Sequence, residues 1–217
     1  MKIVVISDCH GKYKKLVIPE CDLLISCGDY SFTGALHEVR DFHKWLNKQP
    51  AKHIISLQGN HEREVQNNFQ VSKQIALEKC PKVHFMEEGP LTIEGIKFWF
   101  SAYTPTFFKW GYMKDRGAEI KEHWDRIPED TEILVTHGPP YGILDKVEKQ
   151  HPAGHKVDTF QGCVDLLNRV KELKNLKFHF FGHIHEGHGN DGIFYNTAIC
   201  DGRYEPNNPI TIVDIGK

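Results

Sequence analysis

The strongest constraint on this chain is a repeated pairing: a short continuous apolar run, followed by a cluster of glycine, aspartate, asparagine or histidine. Runs of strand length fall at Ile3 to Ile6, Leu23 to Cys27, Ile54 to Leu57, Lys97 to Ala102, Ile133 to Thr136, Phe178 to Phe181, Ile193 to Asn196 and Ile210 to Ile215. Several are apolar at successive rather than alternate positions, so both faces of those strands must be covered. Helical periodicity lies between them: Leu36 to Lys48, with Val39, Phe42, Trp45 and Leu46 on one face; Ala118 to Arg126; and Gly162 to Leu173, with Val164, Leu167 and Val170. Strand alternating with helix predicts an α/β chain with a covered central sheet. The run Leu91 to Ile96 precedes another strand with Glu94 and Gly95 between as a hairpin turn, so part of the sheet is expected to be antiparallel.

At 217 residues, with no repeat, low-complexity tract or linker, the chain reads as a single domain over residues 1–217. A net charge of −2, from 27 basic and 29 acidic side chains, gives no overall attraction to nucleic acid or to an anionic membrane. Lys12, Lys14 and Lys15 form the nearest thing to a basic patch and read as a solvated face. No segment approaches the roughly 20 apolar residues of a membrane span. Ile3 to Ile6 is too short for a signal peptide, so the cytoplasm is the expected compartment. Six cysteines show no CxxC spacing and read as reduced thiols, with Cys9 packed rather than ligating. Fourteen histidines raise the expectation of a transition-metal site, without locating it.

Position locates it. The runs are followed by Asp8-Cys9-His10, Gly28-Asp29, Gly59-Asn60-His61-Glu62, His137-Gly138 and Gly182-His183-Ile184-His185. Side chains just beyond the carboxyl ends of neighbouring strands in an α/β sheet converge on one crevice. Gly28, Gly59, Gly138 and Gly182 are expected to let the backbone turn there and keep the crevice open. Any one fragment alone reads as a turn or an ordinary hydrogen-bonded histidine. Five in succession behind five strands do not arise from independent turns. A mixed aspartate, asparagine and histidine set suits Mn²⁺, Fe²⁺ or Zn²⁺ better than Ca²⁺.

The order Asp-x-His, Gly-Asp, Gly-Asn-His-Glu, His-Gly and Gly-His-x-His resembles the signature of the calcineurin-like metallophosphoesterases. The segments Tyr103-Thr104-Pro105, Trp124 to Pro128, Thr136 to Pro140 and Phe181 to Glu186 are similar to the branch named for the vertebrate brain metallophosphoesterase-domain proteins and their microbial relatives. The resemblance implies a layered β-sheet sandwich flanked by helices, with mixed sheets. It implies two divalent metal ions, Mn²⁺ first and Fe²⁺ or Zn²⁺ as alternatives. One would be held by Asp8, His10, Asp29 and His185, the other by Asp29, Asn60, His137 and His183. Asp29 would bridge them, and a shared water would become hydroxide near neutral pH. His61 is implied as the catalytic group that donates a proton to, or hydrogen-bonds, the leaving oxygen. Glu62 and Arg63 are read as supporting residues whose contacts the sequence leaves open.

Two departures bear on the substrate. Asp29 is followed by Tyr30, Ser31, Phe32 and Thr33 where the phosphoprotein phosphatases of this superfamily carry a further aspartate and a phosphate-gripping arginine. Both His183 and His185 are kept, where some brain-type members have lost one. The expectation is a metal-dependent phosphodiesterase acting on a small diester, cyclic nucleotides and nucleotide-derived diesters included. The alternatives are a nucleotide-binding regulatory protein with weak catalysis, or a nuclease of the same superfamily. The loop aromatics Phe107, Phe108, Trp110 and Tyr112 read equally as a packed cluster or as a stacking wall.

Overall fold

The structure is a computed structural model that describes residues 1–150 and 156–216. Its first half runs β1 (Lys2–Ile6), β2 (Cys21–Ser26), α1 (Leu36–Leu46), β3 (Ala51–Leu57), α2 (Arg63–Asn67), α3 (Phe69–Lys79) and β4 (Val83–Met86). There follow β5 (Glu88–Ile93), β6 (Ile96–Ser101), β7 (Thr104–Pro105), β8 (Met113–Lys114), α4 (Ala118–Asp125), β9 (Ile133–Thr136), β10 (Lys146–Gln150) and β11 (Lys156–Phe160). The chain closes with α5 (Val164–Glu172), β12 (Phe178–Phe181), β13 (Gly189–Asp191), β14 (Phe194–Asn196) and β15 (Thr211–Asp214).

Two mixed sheets carry the fold. The first has the order β15-β1-β2-β3-β4, in which β1 to β4 are parallel and β15 is antiparallel to β1. The second has the order β13-β14-β12-β9-β6-β5, with antiparallel strands at both edges. The β5–β6 hairpin turns at Glu94 and Gly95, both at positive φ (50° and 82°), as the two central residues of a type I′ turn require.

The continuous apolar runs have a structural reason. Alternate side chains of the first sheet, Ile3, Val5, Leu23, Ile25 and Ile55, meet Phe98, Phe100, Ile133, Val135 and Phe180 of the second in one cluster between the sheets. The intervening residues Val4, Ile6, Leu24 and Ile54 turn outward and pack beneath Val39, Phe42 and Leu46 of α1 and Ala76 of α3. On the far side Trp99 and Leu134 pack with Ile120 and Trp124 of α4 and Leu166 and Val170 of α5. The result is four layers, helix, sheet, sheet, helix. Truncating Ile25, which is fully buried, to alanine removes packing worth about 2–5 kcal/mol.

At one end the sheets meet, where Ser7 beyond β1 forms a parallel bridge with Ala198 beyond β14. The parallel strands of both sheets point their carboxyl ends there. Not predicted from the sequence are β4, α2, α3, β13, the β7–β8 pair and the β10–β11 hairpin. In α3 the buried residues are Ser72 and Ala76 while Val71 and Leu77 are exposed, so polarity and burial run out of phase. Among the described residues no helix is long and apolar enough to cross a membrane.

Candidate metal centre

The strand ends of both sheets converge. From the first sheet come Asp8 and His10 after β1, Asp29 after β2 and Asn60 after β3. From the second come His137 after β9 and His183 and His185 after β12. Ligand atoms of Asp8, His10 and His185 lie within 4.8 Å of one another, as do those of Asp29, His137 and His183, and those of His10, Asp29 and His61. Asn60 joins the second group, its Oδ1 standing 2.8 Å from His137 Nε2. The seven residues singled out as metal ligands therefore share one buried centre, with Asp29 common to two of its clusters.

The local backbone is bent to achieve this. Asp8, His10, Asp29 and His183 have φ of 52°, 39°, 52° and 67°, a left-handed region that costs a non-glycine residue about 1–3 kcal/mol. Tertiary hydrogen bonds hold them there. Asp8 Oδ2 accepts from His183 N at 2.9 Å, and Asp29 Oδ1 accepts from His61 N at 2.8 Å. Of the four strand-end glycines only Gly28 turns at positive φ (107°). Gly59 and Gly182 serve by lacking a side chain: a Cβ would fall 2.3 Å from Asp29 Oδ1 and 2.0 Å from Asp8 Oδ2, respectively. The carboxylates occupy the space that a Cβ would need.

The donor set fits a cation. Asp8 is fully buried, and its Oδ1 accepts no hydrogen bond. The Nδ1–H groups of His137 and His185 donate to the carbonyls of Cys27 (2.9 Å) and Asp201 (3.0 Å), which aims the Nε2 lone pairs inward. His137 Nε2 then faces two further acceptors, Asn60 Oδ1 at 2.8 Å and Asp29 Oδ2 at 3.4 Å. Three acceptors around one point require a proton or a metal ion between them. The electrostatics carry the same demand. Burial works against the charged form of His137 and of His185, yet Asp29 and Asp8 respectively overcome it and push each imidazole up to about 9. Burial pushes His10 and His183 down to about 4. Asp8 is held down to about 2, and Asp29 below the usual carboxylate range, by neighbouring histidines that outweigh burial.

Beside the centre stands His61. Its Nδ1–H donates to the Phe32 carbonyl at 3.0 Å, and Nε2 lies 3.9 Å from Asp29 Oδ2. The contact that fixes the His61 tautomer is thus a backbone carbonyl. Glu62 supports Asp29 instead: Oε2 accepts from the backbone N–H of Asp29 and of Gly59, each at 2.8 Å, and Oε1 from Ser31 N (3.0 Å) and Ser31 Oγ (2.7 Å). Burial, then the Asp29 charge, push the Glu62 carboxyl up to about 8, and these hydrogen bonds oppose them. All four neighbours are donating, so the cage fits the carboxylate form. Arg63 is exposed and does not line the cleft. Cys9, between two of the seven, turns away into the core under α1, and all six cysteines are free thiols.

A cleft of about 360 Å³ opens over Asp29, Asn60, His61, His183 and His185. Trp110 and Tyr204 are among its walls. The Trp110 indole centroid is 4.3 Å from that of His61; the Tyr204 ring is 4.7 Å from His10 and 4.9 Å from His185. Tyr204 is not among the residues predicted from the sequence, although its position shortly after Asp201, in a glycine- and proline-bearing loop, marks a turn that returns to the strand ends.

Comparison with known proteins agrees with this geometry. The family model described as calcineurin-like phosphoesterase matches residues 1–187. Metallophosphoesterase domain-containing protein 1 of Homo sapiens is 33% identical over 240 residues, covering 99% of this chain and 71% of that protein. The UPF0046 protein K07C11.7 of Caenorhabditis elegans is 29% identical, covering 93% of this chain and 70% of its own length. Among solved structures, phosphopantetheinyl hydrolase (PptH) from Mycobacterium tuberculosis shares the fold, with a TM-score of 0.56, 14% identity and coverage of 94% of this chain and 90% of that one. A signature distributed over five strand ends, a matching family model and a relative similar over nearly the whole length agree: this chain belongs to the calcineurin-like phosphoesterases.

Proposed function

We propose that this chain is a phosphodiesterase that works with two divalent ions, Mn²⁺ being the first expectation. Asp8, His10, Asp29 and His185 would hold one ion; Asp29, Asn60, His137 and His183 would hold the other. When bound, such ions acidify water and neutralise phosphoryl oxygens.

The observation that carries the diester reading is the poverty of positive charge in the cleft. Among the described residues, Arg116 is the sole lysine or arginine lining the cleft, and its two terminal nitrogens donate to the carbonyls of Gly162 (2.7 Å) and Gln161 (2.8 Å). A monoester dianion needs more cationic donors around its free oxygens than a diester monoanion does. The aromatic walls suit the organic groups that a diester carries on both sides. His61 supplies the proton. Its Nδ1–H is committed to Phe32, so Nε2 is the nitrogen that gives a proton to the departing oxygen. In this reading the partner is a small diester, nucleotide-derived ones included, rather than a nucleic acid or a membrane.

Comparing kcat/KM for an aryl phosphomonoester and the matched methyl aryl diester, with Mn²⁺ present, tests the substrate class. We expect the diester to be favoured. A clear monoester preference overturns the reading.

A further inference from the structure

Trp110 lies over the imidazole of His61, with ring centroids 4.3 Å apart and planes tilted by 32°. The segment that carries it is tied to the His61 loop. Gly111 N donates to the Asn60 carbonyl and Tyr112 N to the side-chain oxygen of Gln66, each at 2.9 Å. Gly111 approaches so closely that a Cβ would stand 2.8 Å from Arg63 Cα, and Tyr112 is fully buried. Phe107 and Phe108, earlier in the same segment, are 49% and 75% exposed. Trp110 thus sits where the loop docks on the His61 segment, and the two phenylalanines before it stand largely in solvent.

His61 needs such a neighbour. Its side chain makes one short hydrogen bond, Nδ1–H to the Phe32 carbonyl at 3.0 Å. One such bond decides which nitrogen carries the proton but lets the ring swing about it, so the plane of the ring must be set by packing. The rings against it are His10, at 4.5 Å and 73°, and Trp110. His10 belongs to the metal centre; Trp110 has no other assigned task.

We infer that Trp110 is a positioning residue for proton donation: by packing on His61 it keeps Nε2 aimed at the departing oxygen, and so sets how poor a leaving group the enzyme can expel. This rests on the reading of His61 given under Proposed function. In the step concerned, a water oxygen forms the new P–O bond and releases a proton to solvent. The old P–O bond breaks with its electron pair on the leaving oxygen. That oxygen takes the Nε2 proton, and His61 is left neutral with its Nδ1–H still on Phe32. A donor misaligned by a few tenths of an ångström loses most where the leaving oxygen most needs the proton.

The test is a series of methyl aryl phosphodiesters whose phenols run from nitro-substituted to alkyl-substituted, assayed with the Mn²⁺-loaded protein and with metal content measured in every sample. The slope of log kcat against leaving-group pKa should be shallow in the wild type and steep in His61→Asn. Trp110→Leu should steepen it part of the way, with about a two- to tenfold loss on the poorest leaving group, the worth of one aromatic contact. Trp110→Phe, which keeps a ring, should restore the shallow slope. A second readout needs no turnover. In the metal-free protein the His61 ring proton resonances, assigned by their disappearance in His61→Asn, should carry a ring-current shift that Trp110→Leu removes. A slope steepened by His61→Asn but not by Trp110→Leu overturns this inference alone. A slope unmoved by His61→Asn overturns it together with the reading of His61, and unshifted resonances in Trp110→Leu show that the stack is absent in solution and overturn it independently.

Discussion

The side chain of Glu62 accepts a hydrogen bond at 2.8 Å from the backbone N–H of Asp29, the residue whose own carboxylate is shared between two clusters of the metal centre. Asp29 stands at positive φ, and Glu62 is what holds it there while also tying down Gly59 and Ser31. Glu62→Gln replaces one accepting oxygen by an amide that faces donors. We expect a loss of about 2–4 kcal/mol in a urea titration, and a fall in bound metal greater than that caused by an exposed substitution such as Arg63→Gln. Unchanged stability and metal content would remove Glu62 from the account.

The buried histidines should give the metal-free protein a stability maximum at about pH 6.5. Below it, His10, His183 and His43, held down to about 4, and His179, held down to about 3, stay neutral in the fold while the unfolded chain takes up protons. Stability therefore falls as pH drops. Above it, His137 and His185 keep their protons up to about 9 while the unfolded chain has lost them, so stability falls again as pH rises through that value. Melting temperatures of the chelated protein across pH should trace this curve. If His137 and His185 ligate metal as proposed, binding would displace their protons, so loading should flatten the alkaline limb.

Substitution at the shared carboxylate should differ in kind from substitution at one edge. Asp29→Asn is expected to empty both halves of the centre, whereas His185→Ala chiefly weakens the half built on Asp8 and His10. Elemental analysis after equal loading gives the stoichiometry. Turnover that survives chelation in full would end the two-ion reading.

His61→Asn separates chemistry from binding. A general acid contributes about 10²–10⁴ in rate, and that range should appear with an alkyl or nucleoside diester, whose alkoxide leaves poorly, and much less with a nitrophenyl one. Metal must be measured alongside, because Asn60 is adjacent. Equal losses on both substrates with metal retained would recast His61 as a phosphate- or water-positioning group.

Most of what lies on the strands is legible in the sequence, and less of what lies between them. Val5 and Ile25 face one layer and Val4 and Leu24 another, and this two-sided burial is written directly as continuous apolar runs. The strand-end motifs are equally legible because each chemically distinctive residue stands next to its strand. Glu62 was visible only as a glutamate: nothing local says that its partners are amides 31 and 33 residues away. The β10–β11 hairpin begins with Lys146, Val147 and Glu148, a stretch too polar to stand out as an apolar run. The aromatic loop divided both ways. Tyr112 is buried and Phe108 is exposed, a split that depends on where Gly111 docks.

Asp8, His10, Asp29 and Asn60 hang from one sheet, and His137, His183 and His185 from the other. On the two-ion reading, ions gripped by both sets would act as rivets through the sandwich, so sliding one sheet against the other would mean shearing ligand bonds as well as unpacking side chains. Metal affinity then becomes a gauge of sheet alignment. A cavity cut between the layers, as by Phe180→Ala, should be felt at the rivets even though no ligand has been touched.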